Sequence, residues 1–409
     1  MKLKIALATA TTMALVMGSA YAGDLNTAFI SQDGTGNTAL IGQSAGPGGN
    51  DVGLSGAPIL QQGNSNSFSE TQSTGGGFSR GDNDIVEAEQ IGNSNGFSSN
   101  YSNNAGGNRI LDVLQQGNSN VTSIGRNNAI DSTVDTVTQQ GNSNFLKISQ
   151  SGGSDNIVEL AEQIGNNNGY SSQQGAYNGW GTVITQTGSG NRVAKSSVTG
   201  NNNSGSNQTG HKITQNGTDN GLLASRAQTI GSNTNWIHVG QTGDRNQFDF
   251  VQGVTTASTG NKVSLTQTGS DNSGAGTQFG DRNTITMTQN GNSNLVIANQ
   301  SGDDNSATAN ITGNSNGGGV MSGNAGNLAT AKSLTSGLIV QDGLRNTTLF
   351  TVSGSDSNQF AFLQDGNDNS ITGTVSGAGS NQATIAQVGN SNAATFSQAG
   401  GSNNLSVSQ

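Results

Sequence analysis

Apolar and polar residues alternate with a period of two through most of the chain, in short segments that end at glutamine. The segment NTITMTQ (283–289) puts Asn283, Ile285, Met287 and Gln289 on one face and three threonines on the other. A period of two predicts β-strands. The terminal amides share the apolar face, so a core formed by that face would bury them too. The same pattern recurs in NKVSLTQ (261–267), NQFAFLQ (358–364) and NNLSVSQ (403–409).

The strand candidates are joined by a recurring Gln-x-Gly-x-x-Asn motif. Seventeen strict copies occur, and most follow one another after 11 residues or after 23 to 29. Repeats of this kind predict a solenoid before any other fold. The copies begin at Gln32, Gln61, Gln90, Gln115, Gln139, Gln163, Gln186, Gln215, Gln241, Gln267, Gln278, Gln289, Gln300, Gln341, Gln364, Gln387 and Gln398.

The unit of 11 residues is odd, so a straight strand would reverse its faces at each repeat. The x-Gly-x-x stretch, rich in Asn, Asp and Ser, is typical of a turn that can correct this. A β-arc carries the chain from one sheet to a facing sheet with both apolar sides directed inward. We therefore predict an all-β fold, a β-solenoid of stacked β-arches with two facing, parallel, in-register sheets of the cross-β, amyloid-like kind.

In such a stack each residue lies above its copy in the neighbouring turn, and amide side chains can hydrogen bond along the column. The apolar face therefore predicts a structural amide ladder, and the fixed glycine predicts a turn position with positive φ. The predicted ladder residues are Gln267, Asn272, Gln278, Asn283, Gln289, Asn294, Gln300, Asn305, Gln341, Asn346, Gln364, Asn369, Gln387, Asn392, Gln398 and Asn403. The predicted turn glycines are Gly269, Gly280, Gly291, Gly302, Gly343, Gly366, Gly389 and Gly400.

Two regions depart from the pattern. Between 83 and 163 several units carry one residue too many between Asn and Gln, which either a β-bulge or a shifted Asn would absorb. The second departure, about 316–340, has no alternation and is predicted to be an irregular insertion.

The N-terminus has the pattern of a secretory signal peptide: Lys2 and Lys4, an apolar run from Ile5 to Met17, and an A-x-A site ending at Ala22. We therefore expect two regions, a leader (1–22) and a repeat solenoid (23–409), and an exported protein that is not embedded in a membrane.

The composition is unusual for a folded protein, with 30% hydrophobic and 10% charged residues among 409. Ordinary domains are about half apolar and a quarter charged, so this composition alone would favour disorder. The absence of proline after Pro58 is instead typical of long hydrogen-bonded sheets.

Charge and residue usage exclude several functions. The absence of cysteine excludes disulfides, thiolate metal sites and a cysteine nucleophile. The net charge of −10 without a basic patch disfavours nucleic acid. Neither His211 nor His238 lies near a nucleophile motif, so we predict no enzyme, no catalytic residue and no cofactor. Calcium-binding nonapeptides need a different period, so no metal site is predicted.

The repeats resemble those of the curlin family, which read Ser-x5-Gln-x-Gly-x-x-Asn-x-Ala-x3-Gln. The stretch QVGNSNAATFSQ supplies Gln387, Gly389, Asn392, Ala394 and Gln398, whereas Asn381 stands at the family's serine. The resemblance implies a functional-amyloid subunit, secreted by the general secretory route, that polymerises into curli fibrils at the cell surface for biofilm matrix and cell adhesion.

The same resemblance implies as partners further copies of the chain, a nucleator or companion curlin subunit, and an outer-membrane secretion pore. The residues leave one alternative open, a monomeric cell-surface β-solenoid adhesin that binds a ligand along one face. An adhesin of this kind should carry an anchoring domain or a cap at the end of its solenoid.

Overall fold

The fold is taken from a computed structural model, in which the chain divides into two compact units, Met1–Ile213 and Thr214–Gln409. The residues it describes are 12–17, 27–44, 51–53, 58–73, 84–85, 87–102, 109–110, 112–127, 133–134, 136–151, 157–158, 161–175, 182–198, 210–221, 225–229, 235–253 and 258–409.

Unit 1 is built from strands alone in its described part. These are β1 (Thr12–Met17), β2 (Thr27–Ala28), β3 (Ile30–Asp33), β4 (Thr35–Ser44), β5 (Asp51–Val52), β6 (Ile59–Gln62), β7 (Ser67–Ser73), β8 (Asp84–Ile85), β9 (Ala88–Ile91), β10 (Gly96–Ser102), β11 (Arg109–Ile110), β12 (Val113–Gln116), β13 (Val121–Asn127), β14 (Thr133–Val134), β15 (Val137–Gln140), β16 (Phe145–Ser151), β17 (Ile157–Val158), β18 (Ala161–Asn166), β19 (Gly169–Gly175), β20 (Thr182–Ser189) and β21 (Arg192–Val198).

The strands of unit 1 form parallel sheets in which every third element pairs as far as β18 and β19, which pair with β20 and β21. One sheet has the order β1-β4-β7-β10-β13-β16-β19-β21, and a second has the order β3-β6-β9-β12-β15-β18-β20. Identical motif positions pair, as when Gln115 lies between Gln90 and Gln139. The predicted parallel, in-register solenoid is therefore confirmed.

Unit 1 also has a third sheet that the sequence did not predict, with the order β17-β14-β11-β8-β5-β2. Its two-residue strands β8, β11 and β17 come from the units with an extra residue. Ile85 in β8 and Ala88 in β9 are both buried although they are an odd number of positions apart. The break between the two strands absorbs the extra residue and keeps both side chains inward; Asn83, Asn108 and Asn156 lie outside the described residues.

Unit 2 begins within β22 and contains sixteen strands counted from it and one helix in its described part. The elements are β22 (Gly210–Thr218), β23 (Ser225–Thr229), β24 (Trp236–Asp244), β25 (Gln247–Gln252), β26 (Lys262–Thr268), β27 (Ser273–Phe279), β28 (Thr284–Asn290), β29 (Leu295–Ser301), β30 (Ser306–Thr312), α1 (Gly323–Ala331), β31 (Leu338–Asp342), β32 (Thr347–Ser353), β33 (Gln359–Asp365), β34 (Ser370–Ser376), β35 (Gln382–Val388), β36 (Ala393–Ala399) and β37 (Asn404–Ser408).

The even-numbered strands of unit 2, from β22 to β36, form one parallel sheet. The strands β23, β25, β27, β29, β31, β33, β35 and β37 form the facing sheet. The core between them is thin, and neighbouring side chains fill gaps left by glycine. A Cβ at Gly274 would lie 2.7 Å from Leu265 of the facing sheet. Small inward residues are therefore compensated by large ones across the core.

The departure near 316–340 is a loop inserted into one strand of a regular unit. Gly317 and Gly337 occupy adjacent strand positions, since their N–H groups donate to Asn358 O and Phe360 O, each at 2.7 Å. A Cβ on Gly337 would lie 2.7 Å from Gly317 O, so the two glycines are side by side. Residues 318–336, hereafter the inserted loop, leave the sheet between them and contain α1.

The inserted loop packs on the outer face of the odd-numbered sheet. Ala329 and Leu334 form a buried cluster with Ala361 of β33. Thr384 Oγ1 of β35 donates to Ala325 O at 2.8 Å. The loop thus covers apolar side chains on the outer face of the sheet. The register of the strand that the loop interrupts is unchanged.

Excision of residues 318–336 should regenerate a regular unit, because it leaves NGGLIVQ with the usual five residues between Asn316 and Gln341. We expect the variant to keep its parallel β-structure by circular dichroism. The matched variant lacking 318–335 leaves one residue more, so its strand must bulge and it should melt at a lower temperature. Equal melting temperatures would contradict this account of the insertion.

Candidate functional site

The candidate site of this protein is the repeated surface on which one turn of the solenoid stacks on the next. In the odd-numbered sheet of unit 2, each buried glutamine donates from Nε2 to Oε1 of the glutamine in the next turn. The six bonds from Gln252 to Gln409 measure between 2.8 and 3.1 Å. Unit 1 repeats this geometry, as in Gln61 to Gln90 at 2.8 Å. Each such bond contributes a net stability of about 0.5–1.5 kcal/mol.

The motif asparagines form a second ladder at the turns. Asn294 N–H donates to Asn272 Oδ1 at 3.0 Å, and Asn294 Nδ2 donates to the carbonyl of Gly313 in the next turn at 2.8 Å. The motif glycine is therefore bonded to the asparagine of the preceding turn. The amide and the glycine act together, which explains their fixed spacing in the sequence.

The glutamine ladder has a direction. In every buried glutamine–glutamine bond that the structure describes, Nε2 of the earlier residue donates to Oε1 of the later one, as in Gln32 to Gln61 and Gln364 to Gln387. In the glutamine column each turn therefore presents an amide donor on one side and an amide acceptor on the other, whereas the asparagine ladder bonds in both directions. A stacking surface of this kind is complementary to a copy of itself.

The structure places most of the sequence-predicted ladder residues in the core, at 0–1% exposure. Asn392 and Asn403, in the last turn, are half-buried. Gln398 differs from the expectation: it stacks on Val375, and its Oε1 is buried without a hydrogen bond. In the even-numbered sheet, the positions that follow Gln289 in its column are occupied by Ile311, Val352 and Val375. The amide ladder is therefore interrupted there.

The eight predicted turn glycines all have positive φ, between 89° and 130°. Stacking imposes a second requirement on the interior ones. A Cβ on Gly302 would lie 2.0 Å from the carbonyl oxygen of Gly343 in the next turn. Gly389 and Gly400, in the outermost turn, meet no such atom. The glycine is therefore required by the close approach of two turns as well as by the turn itself.

Gly302→Ala should destabilise unit 2 by about 1–3 kcal/mol, because alanine is strained at this φ and its Cβ collides with the next turn. Thermal melting followed by circular dichroism would measure the loss. Gly318→Ala is the matched control, since a Cβ there meets nothing within 4 Å. Equal melting temperatures of the two variants would contradict the stacking requirement.

Charged residues enter the stack as pairs between neighbouring turns. Three arginines stand at the motif position before Asn. Each donates two hydrogen bonds of 2.6–2.8 Å to an aspartate of the next turn. The arginine holds the pKa of each aspartate below its usual value. The pairs are Arg245–Asp271, Arg282–Asp304 and Arg345–Asp368, all solvent-exposed.

Unit 1 contains a buried ionisable group that sequence reasoning missed. Glu70 is fully buried on β7, and burial raises the pKa of its carboxyl well above the usual value, against the opposing effects of Ser99, Arg126 and Gln72. Neither carboxyl oxygen has a hydrogen bond of good geometry. The neighbouring columns hold Tyr101, whose hydroxyl accepts a 2.6 Å bond from Arg126.

The sequence carries a signal for Glu70, because the alternation in NSFSETQ (66–72) puts it on the inward face with Phe68 and Gln72. The raised pKa means that the folded state holds a proton that the unfolded chain releases. The stability associated with this proton is fully present below the unfolded pKa, near 4.5, and is lost as the pH rises toward the folded pKa.

Glu70→Gln should protect unit 1 at pH 8 but change little at pH 4, because glutamine cannot ionise. Hydrogen exchange of β7, β10 and β13, compared between variant and parent at each pH, measures this. We expect slower exchange in the variant than in the parent at pH 8 and the same exchange in both at pH 4, because only the parent must ionise a buried carboxyl as the pH rises. Glu89→Gln, at a half-buried position, is the control; an equal effect at both pH values would contradict the assignment.

The described residues offer neither a metal cluster nor a membrane-spanning helix. Among them no cluster of three or more His, Asp or Glu side chains could hold a metal ion. In the same residues no helix is long and apolar enough to cross a bilayer. Of the predicted leader, only β1 is described, and it pairs in parallel with β4; residues 1–11 and 18–22 lie outside the described part.

Comparison with known families gives one match. The model of the curlin-associated repeat matches residues 259–291 and 379–409. These stretches contain β26 to β28 and β35 to β37. In a comparison with curated proteins, none matched significantly.

Proposed function

We propose that this curlin-repeat protein is a structural subunit that stacks head to tail with copies of itself into extracellular fibres. The family match and the β-solenoid support a structural role of the curli type. The observation that carries the proposal is the directional ladder. Because each glutamine of the column offers a donor on one side and an acceptor on the other, a second copy can continue the stack in the same register.

The outermost turn of unit 2 retains this bonding capacity. Interior asparagines such as Asn369 and Asn381 donate to a glycine carbonyl of the next turn, at 2.8 and 3.0 Å. Asn403 has no such carbonyl and donates only to Ala399 O and Asn381 Oδ1. Edge groups of this kind are a template for another strand.

Continuation of the register identifies the partner groups in the second copy. The motif that contains Gln32, Gly34 and Asn37 would lie over the motif that contains Gln398 and Asn403. Gln398 Nε2 would then face Gln32 Oε1, and Asn403 Nδ2 would face the carbonyl of Gly34.

The remaining features of the proposal follow from the resemblance to curlins. We propose export through the general secretory route with loss of residues 1–22, passage through an outer-membrane curli secretion pore, and growth from a nucleator or companion subunit at the cell surface. A contribution to biofilm matrix and adhesion would follow from the fibre, and no catalytic role is proposed.

The exported chain, purified in denaturant and diluted to micromolar concentration, should form fibres that bind thioflavin T and appear in negative-stain micrographs. Growth should accelerate when preformed fibres are added, because an open turn is a template. A chain that stays monomeric and dark for days would refute the proposal and favour the monomeric adhesin.

Gln278→Ala sharpens this test, because Gln278 bonds to Gln252 and Gln300 at 2.8 and 2.9 Å. Its removal leaves buried amides unpaired at a cost of about 1–3 kcal/mol, so fibre growth should slow. Thr286→Ala, on the outer side of β28, is the matched control and should grow as the parent does. Equal growth of both variants would argue against the ladder as the basis of assembly.

A further inference from the structure

We propose that the inserted loop (318–336) is a junction element that contacts the next copy of the chain in the fibre, with β4 of that copy as its partner. The inference rests on the proposed head-to-tail stacking and adds to it a contact surface that the repeat motif does not contain.

The loop is not needed by the turn from which it arises. Gly317 and Gly337 already lie side by side, and the strand resumes its register at Leu338. Its nineteen residues therefore serve contacts outside that strand.

Those contacts run toward the outermost strand of unit 2. The loop passes beside Gln359 of β33, and Ser322 N–H donates to Gln382 Oε1 of β35 at 2.7 Å. It then reaches β37, where Asn404 Nδ2 donates to Ser322 O and Ala325 N–H donates to Asn404 Oδ1, each at 2.8 Å. The tip of the loop thus lies at the edge where a further strand would add.

The strand that register continuation places there is β4 of a second copy. Thr38 would follow Asn404 in its column, and Leu40 would follow Thr384 and Ser406, the column over which α1 packs. Leu40 is an exposed large apolar side chain, at 43%. The equivalent position in β7 is Ser69. The strand that would meet the loop, β4, therefore carries an exposed apolar residue where β7 carries a serine.

The edge of β4 can accept a parallel strand on its outer side. In the structure β1 pairs there, with Leu40 opposite Val16 and Ile41 opposite Met17, and its register shifts only between Thr12 and Ala14. Loss of residues 1–22, as proposed above, would free the same edge for β37 of another copy. Covering Leu40 would remove apolar surface from water and so favour this orientation of the two copies.

The absence of cysteine allows a direct test. Leu40→Cys and Asn324→Cys, each a single exposed substitution, are purified separately and assembled as an equal mixture. A short bismaleimide is added to the fibres, and denaturing gels are read for covalent dimers. We expect a dimer from the mixture and none from either variant assembled alone.

A mixture of Leu349→Cys with Asn324→Cys is the matched control, because Leu349 is equally exposed, at 42%, but lies on the other sheet. If fibres form but yield no more covalent dimer than this control, the junction is overturned and the proposed function is left intact. Failure to form any fibre would overturn both.

Seeded growth of the variant lacking 318–336 gives an independent measure. Loss of the junction contact should slow elongation by about tenfold, the factor that corresponds to about 1.4 kcal/mol of binding free energy. Elongation at the parental rate, with the β-structure retained, would contradict the proposal.

Discussion

The structure depends on one constraint, that a side chain in a parallel in-register stack lies about 4.8 Å from the equivalent side chain of the next turn. Few residue types tolerate their own copy at this distance in a core. Amides do, because each can donate and accept in the same direction, and small apolar residues do by simple packing. This explains how a chain with only 30% hydrophobic residues folds: buried glutamine and asparagine stabilise the core that apolar residues alone would not fill.

Charged residues obey the same constraint in a different way. In unit 2 the exposed arginines stand next to aspartates of the adjacent turn, where opposite charges attract, although two exposed aspartates, Asp342 and Asp365, also pair. Isolated pairs of this kind contribute little stability, but their two-bond geometry favours one neighbour over another. In the core of unit 1 the solution is less complete: Arg126 bonds to Tyr101 and Gln150, whereas Glu70 remains without a well-formed hydrogen bond.

The same constraint links fold to assembly. A turn does not distinguish a following turn of its own chain from the first turn of another copy, since both supply the same acceptors at the same spacing. The proposed fibre therefore requires no surface beyond the one that folds the monomer. The inserted loop is the exception, because it belongs to no repeat and contacts three successive strands of one sheet, and this is why we assign it to the junction.

The sequence by itself determined the repeating unit, the strand period, the inward amides and the glycine position, because these are local properties repeated many times. It did not determine which columns remain continuous: Gln398 has a normal motif, yet its neighbour in space is Val375, which lies in a degenerate copy of the repeat. The third sheet, the neighbours that surround Glu70 and the path of the inserted loop to Asn404 were likewise decided by tertiary structure. Each depends on which residues of distant turns become neighbours, and spacing along one unit carries no information on that.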